Sequence, residues 1–399
     1  MLKQAIVLAA GEGSRLRPFT LNRPKSMLYV AGRPIIEYVI EALAASGIRD
    51  IVLVTGYRKE QIFEHLGSGE ALGVNIRYAI QAKQLSSAHA LAQAKELAGD
   101  EFLVVPGDKY FRAGTIECMI CQSPTAMLVK TMSDPSRGNI VAVARGSVTG
   151  FGWPEAGAQG IIRERGEFSV NTRIYALSRE VFGYLDGEPH IPAVLAKMAA
   201  GGHCIRAIGT DGEWQDVVYP WDIIAMNSSL LERVEASAAG TIEPDVIIKG
   251  SVVLGGGSVI RGGSYVQGPV VLGKGCVIGP HVSLSAATSL GDNVVIEPFS
   301  HISGSVIGSD VRIGAGSIIE DSVIDRGSSL SSHFQAPSGE AEIKISTEYH
   351  SVTIGALIGE SCRVGAGVVA RPGTILGAYS QVAPLKVIGG SIPDRSLAV

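Results

Sequence analysis

Residues 5–43 read AIVLAAGEGSRLRPFTLNRPKSMLYVAGRPIIEYVIEAL. The run over 5–10 is apolar without alternation, as in a strand covered on both faces of a parallel sheet, and it stops at Gly11. Over 11–17 the character inverts, with Gly11 and Gly13 followed by Ser14, Arg15 and Arg17. Glycines let backbone N–H groups approach an anion closely, and arginines offer planar forks of donors to phosphate oxygens. The loop has neither the Gly-Lys-Ser/Thr of a P-loop nor the G-x-G-x-x-G of a dinucleotide fold. Pro24 and Lys25 follow, a fixed backbone carrying a point charge, and the combination reads as a phosphate cradle.

Outward from this stretch, apolar runs alternate with helical periods as far as about Met226, the pattern of a mostly parallel α/β sheet. The spacing predicts a helix over 35–45 stopped by Gly47, strands over 51–55, 76–80 and 102–105, helices over 61–66 and 87–98, and a last helix over 222–234. Such sheets bind ligands beyond the carboxyl ends of their strands, so the loops 11–17, 81–87 and 107–108 are expected to converge on one site. Asp108 stands at the tip of a buried strand, where a carboxylate needs solvent, a cation or a metal.

From Ile242 the period changes to six. Ile242, Ile248, Leu254, Ile260, Val266, Leu272, Ile278, Leu284, Leu290, Ile296 and Ile302 fall in one register, with Gly255, Gly273, Gly279 and Gly291 in the next position. The register slips by one at Ile307, Ile313 and Ile319, is expected to break over 325–353, and resumes at Ile358, Val364, Ala370, Leu376, Val382 and Ile388. An apolar residue every six places beside turn glycines is what a solenoid of short strands requires. The expected organisation is a domain over 1–228, a linker over 229–241 and a β-helix over 242–399.

The run LAAGEGSRLRPFTLNRPKSMLYVAGRPII closely resembles the signature of sugar-1-phosphate nucleotidylyltransferases, and the similarity continues along the chain. The hexapeptide part resembles left-handed parallel β-helices, which commonly trimerise. The resemblance therefore implies a Rossmann-like α/β nucleotidyltransferase domain followed by a left-handed parallel β-helix in a homo-oligomer, and an enzyme joining UTP or dTTP to a sugar 1-phosphate, glucose 1-phosphate or N-acetylglucosamine 1-phosphate. It assigns nucleotide contacts to Leu8, Ala9, Ala10, Gly11, Gly13 and Gly107. Arg15 would hold the β- and γ-phosphates, and Lys25 the sugar phosphate. QAKQLSSAHA, from Gln81, resembles the stretch that reads uracil, with Ser86 and Ser87 replacing Gly-Thr. EWQDVVYPWDIIAMN resembles W-x-D-V-G-T-P-W-D-L-x-x-A-N, so that Asp216 is the second carboxylate, with Asp108, for Mg2+; Val218 and Tyr219 replace Gly-Thr.

On the sugar side the resemblance points to Gly138, Glu164, Arg165, Asn171 and Thr172, with Arg173 in place of a glycine. The departures at Ser86, Lys109, Arg173, Val218 and Tyr219 keep a second reading open, a non-catalytic subunit that senses nucleotide sugar and assembles through its β-helix. Relatives similar end to end also carry an acetyltransferase β-helix with a catalytic His. Here the matching position is Pro298, His301 is displaced, and Asp321 stands where Asn is expected, all of which weakens that activity. His281, His333 and His350 read as solvated or structural.

Composition bounds these readings. The 399 residues suffice for two full cores, and the formal net charge of -4 suggests neither nucleic acid nor a membrane surface as partner. No apolar run approaches the ~20 residues of a membrane helix, and the expected setting is the cytoplasm. Five scattered cysteines argue against a disulfide framework. Cys118 and Cys121 form a C-x-x-C without a second pair and read as small residues on a helix. Fifty glycines exceed the ordinary ~7% share, and most of the surplus follows residue 250.

Overall fold

The computed structural model describes residues 1–122, 125–133, 140–152 and 167–398. These form two compact units: Met1–Glu12, Arg23–Met27 and Ile35–Asp216 make one, and Gly13–Asn22, Leu28–Pro34 and Val217–Val399 the other.

The first unit is a mixed sheet in the order Asn75–Ile80, Asp50–Thr55, Gln4–Ala9, Glu101–Pro106, Phe168–Ser178, Ala126–Met132, Arg206–Thr210, Ser147–Gly152, Ile140–Ala144. The first four strands are parallel, and Phe168–Ser178 runs antiparallel to both neighbours. The unalternating run at the N-terminus has its expected cause. Ala5, Val7 and Ala9 join one core with Ile36, Val39, Ile40 and Leu43 of the helix Ile35–Ala45. Ile6 and Ala10 join the other, with Leu91 of Ser87–Gln93 and Val194, Leu195 and Met198 of Ile191–Ala200. Successive strand residues point to opposite faces, and a strand covered on both must be apolar throughout.

A two-stranded antiparallel ribbon, Lys109–Phe111 with Trp214–Asp216, leaves the end of the sheet and pairs Lys109 directly with Asp216. Gly107 makes the exit possible. Its N–H donates to the Leu8 carbonyl at 2.8 Å, and a Cβ there would lie 2.8 Å from the Ala9 Cβ.

The second unit is a β-helix of three parallel sheets with nine, nine and eight strands among the described residues. Leu254, Ile260, Val266, Leu272 and their successors at six-residue spacing fill its core. At one corner, a Cβ on Gly255 would stand 2.3 Å from the Gly273 oxygen, and one on Gly273 2.6 Å from the Gly291 oxygen. Coils stacked this closely exclude a side chain there. At another corner Asp245, His281, Phe299, His333 and Leu385 all take positive φ. His281 and His333 thus occupy turns, with the His281 ring stacked on Phe299 at 5.4 Å.

The expected break over 325–353 is shorter in the structure. Val323–Ile324, Ser329–Leu330 and Gln335–Ala336 are regular rung strands, with Ile324, Leu330 and Ala336 in the core. One further shortened coil, pairing Val306 with Val323, moves the apolar positions back by a residue. The insertion is an antiparallel hairpin, Gly339–Ile345 with Glu348–Ile354, after which the rungs resume at Ala356–Ile358.

The unit boundary also differs from residue 228, because the helix Asp222–Leu231 packs in the second unit. There Asn227 accepts from Ala31 N–H at 2.8 Å and from the Ser289 hydroxyl at 2.6 Å, and donates to the Ala287 carbonyl at 2.9 Å. Rung strands begin earlier than 242, at Ser237–Ala238. Among the described residues no helix is long and apolar enough to cross a membrane.

Candidate active site

In the first unit, Pro24 opens a single turn, Lys25–Met27, closed by Met27 N–H donating to the Pro24 carbonyl at 2.9 Å. The turn places the Lys25 ammonium 2.5 Å from Asp108 Oδ2 and 3.5 Å from Asp216 Oδ1. Three residues predicted from separate parts of the chain are therefore gathered at one point. Burial alone would lower the Lys25 pKa, yet Asp108 and Asp216 outweigh it and raise the value above that of an ordinary lysine.

A second lysine completes the group. Lys109 is 1% exposed, and its ammonium contacts Asp216 Oδ2 and lies 4.8 Å from the Trp214 ring centroid. Burial drives its pKa down to about 8, against the opposing pull of Asp216. Burial would raise the Asp216 carboxyl, but Lys109, Lys25 and Arg173 together hold it far below the usual carboxylate range. Asp216 Oδ1 is buried without a hydrogen bond among the described residues, whereas the Asp108 side chain is 23% exposed.

Arg173, the residue in place of glycine, takes φ 65° at an irregularity in the pairing of Phe168–Ser178 with Ala126–Met132. Asn171 holds this bulge, its Oδ1 accepting from Arg173 N–H at 2.8 Å and its Nδ2 donating to the Tyr175 hydroxyl at 2.9 Å. Thr172 donates to the Leu128 carbonyl at 2.7 Å, and its own carbonyl accepts from Trp214 Nε1 at 3.1 Å. Asn171 and Thr172 are buried at 3% and 0%. Their side chains shape the bulge that carries Arg173. Gly138, Glu164 and Arg165 lie outside the described residues.

Gln81 is buried beyond the strand Asn75–Ile80, its Nε2 within 3.0 Å of the Ser86 carbonyl and 2.8 Å of His89 Nδ1. The Ser86 hydroxyl caps the helix by accepting from His89 N–H at 3.2 Å, and Ser87 accepts from Ile191 N–H at 3.2 Å. Leu8 and Ala9 end the first strand, and Ala10 and Gly11 follow it, with open space where a Cβ on Gly11 would be.

Gly13 and Arg15 belong to the second unit. Gly13, at φ 74°, starts the turn Ser14–Leu16, and its carbonyl accepts from the Thr20 hydroxyl at 2.8 Å. Arg15 is exposed while Leu16 and Phe19 are buried, so the turn presents the arginine outward.

The partnership of Lys109 with Asp216 escaped the sequence reading, although a lysine directly after Asp108 at a buried strand start was a signal in itself. Among the described residues no three His, Cys, Asp or Glu side chains group as a metal site of their own.

A two-carboxylate, multi-cation cluster at the carboxyl end of an α/β sheet, in a chain that continues into a hexapeptide β-helix, defines a class. Residues 4–233 match the nucleotidyl transferase family and residues 287–329 the bacterial transferase hexapeptide (six repeats) family. The chain belongs to the nucleotidyl transferase family, a class of transferase enzymes, and its three parallel sheets with the hexapeptide match are the left-handed β-helix anticipated above. It is 29% identical over 412 aligned residues to the bifunctional protein GlmU of Methanococcus maripaludis (strain C5), covering 98% of this chain and 96% of that one. It is 28% identical to the bifunctional sugar-1-phosphate nucleotidylyltransferase/acetyltransferase of Sulfurisphaera tokodaii, covering 98% of each. The glucose-1-phosphate thymidylyltransferase of Streptomyces antibioticus is 28% identical, covering 84% of this chain and 95% of that one.

Proposed function

We propose that this protein joins a nucleoside triphosphate, UTP or dTTP, to a sugar 1-phosphate, glucose 1-phosphate or N-acetylglucosamine 1-phosphate, releasing pyrophosphate. The observation that carries the reading is the Lys25 ammonium held 2.5 Å from Asp108 and 3.5 Å from Asp216. A phosphate oxygen of the sugar phosphate attacks the α-phosphorus, and the bond between that phosphorus and the bridging oxygen to the β-phosphorus breaks. Positioning and charge neutralisation are the main tasks, since two anions must meet in line. Lys25 orients the incoming phosphate, and Arg15 takes the charge of the departing pyrophosphate.

The donor set fits a hard divalent cation: Asp108 is accessible, and Asp216 Oδ1 is a buried oxygen with no hydrogen bond among the described residues. Asp108 and Asp216 would hold Mg2+, the phosphates and water supplying the remaining ligands. When bound, the ion supplies charge that shields the repulsion between the two substrates.

Gln81 spends its amide nitrogen within the chain, which leaves its carbonyl oxygen to accept from the base. Uracil and thymine both offer N3–H there, and cytosine does not. The hexapeptide β-helix supports assembly as a homotrimer, which light scattering of the purified protein measures, and the absence of a long apolar helix among the described residues accords with a cytoplasmic setting.

The test is pyrophosphate release with Mg2+, crossing UTP, dTTP, CTP, ATP and GTP with glucose 1-phosphate, N-acetylglucosamine 1-phosphate and their galacto forms. Turnover with UTP or dTTP and one sugar supports the reading and names both substrates. Silence of the folded protein across the matrix overturns it in favour of the non-catalytic sensing subunit.

A further inference from the structure

Lys109 has no task in the transfer chemistry just described, yet the backbone is built to deliver it. It is the direct cross-strand partner of Asp216 in the antiparallel ribbon, so the two side chains leave the same short pair of strands. The side chain is 1% exposed, its ammonium contacts Asp216 Oδ2, and the Trp214 face lies 4.8 Å away. An ammonium taken out of water is strongly unfavourable unless it is well paired, so this lysine is bound to that carboxylate by the fold around it.

The consequence falls on the divalent cation. Asp108 and Asp216 bring two negative charges, and Lys25 and Lys109 cancel both by direct contact. Arg173 adds a further positive charge acting on Asp216. A cation approaching without phosphate meets no net attraction, and one of the two Asp216 oxygens is already taken. A nucleotide changes that balance, because its phosphates supply both charge and oxygen ligands.

We propose that Lys109 withholds Asp216 from divalent cations until phosphate is present, so that the metal enters with the nucleotide rather than residing in the empty site. Lys109 is thus a positioning residue that acts through Asp216. This inference rests on the reading of Asp108 and Asp216 as the metal carboxylates, but its test uses neither nucleotide nor sugar.

The probe is Mn2+ alone at pH 7, its free concentration followed by electron paramagnetic resonance, with wild type, Lys109→Met and Lys109→Gln. Methionine keeps the length and the contact with Trp214 and removes the charge. Glutamine keeps a donor toward Asp216 and serves should the methionine variant not fold. The expected result is at least tenfold tighter Mn2+ binding in the folded variant, lost again when Asp216→Asn is added. Tenfold tighter binding also appears as about 1.4 kcal/mol of extra Mn2+-dependent stabilisation at saturating metal, readable from melting curves. Unchanged or weaker binding in both variants overturns the inference, as does a gain that survives Asp216→Asn. Silence in the pyrophosphate assay together with a tenfold gain in Mn2+ affinity would remove the transfer reaction and leave the role of Lys109 standing.

Discussion

The carboxamide of Asn22 donates to the Tyr379 hydroxyl at 2.6 Å and to Glu360 Oε2 at 3.0 Å. Glu360 is itself fixed by Arg326, whose Nε donates to Oε1 at 3.0 Å. The segment Gly13–Asn22, which carries Arg15, is therefore anchored on β-helix rungs at its far end. A hydrogen bond is worth about 0.5–1.5 kcal/mol net, so Glu360→Ala or Tyr379→Phe should raise KM for the nucleoside triphosphate roughly 2- to 10-fold and leave KM for the sugar phosphate unchanged. Steady-state kinetics with each substrate varied in turn checks this; equal rises in both KM values would count against loop anchoring.

Lys25→Ala and Asp108→Ala should each lower kcat by about 100- to 1,000-fold, the range for losing one preorganised electrostatic contact. Both side chains stand at the mouth of the cluster, 15% and 23% exposed, so the melting temperature should change little. Lys25→Arg should not restore the rate, because a planar fork does not fit the position of a point charge between two carboxylates.

The Lys109 pKa is lowered to about 8, below the 10.5 of a free lysine. A group whose folded value is depressed releases its proton first in the folded state, so between pH 8 and 10.5 the unfolded chain binds more protons and stability rises with pH. The wild type should gain stability relative to Lys109→Met across that window, by at most about 1.4 kcal/mol per pH unit. Denaturant melts at pH 7.5, 9 and 10 read the difference. A flat difference would mean that Lys109 titrates as an exposed lysine.

Tyr219, a departure from the family pattern, donates its hydroxyl to Glu348 at 3.0 Å, stacks on Trp221 at 4.9 Å and meets the His350 ring at 4.3 Å. The inserted hairpin thus supplies the partner that explains a tyrosine here. A double-mutant cycle of Tyr219→Ala and His350→Ala should give a coupling of about 0.5–1.5 kcal/mol in unfolding free energy. Additive effects would show that the two rings do not support each other.

The sequence by itself determined both architectures. Residues 5–10 announce a strand covered on two faces because each face must exclude water, and the apolar period of six announces rungs because each coil buries its inner residues against the next. It also pointed to Lys25 and Asp108, since glycine, proline, lysine and aspartate at strand ends leave chemistry in plain view, while Asp216 came from the resemblance of its segment to the family pattern. The one-residue slip to Ile324, Leu330 and Ala336 was not legible, because a shortened coil mimics a broken pattern until its pairing is known. Nor were the hydrogen bonds to Leu128, Arg173 and Tyr175 by which Asn171 and Thr172 hold the bulge at Arg173. Only the tertiary structure decided that Lys109 would meet Asp216, 107 residues away, because an antiparallel ribbon sets that pairing and burial then obliges the two charges to remain together.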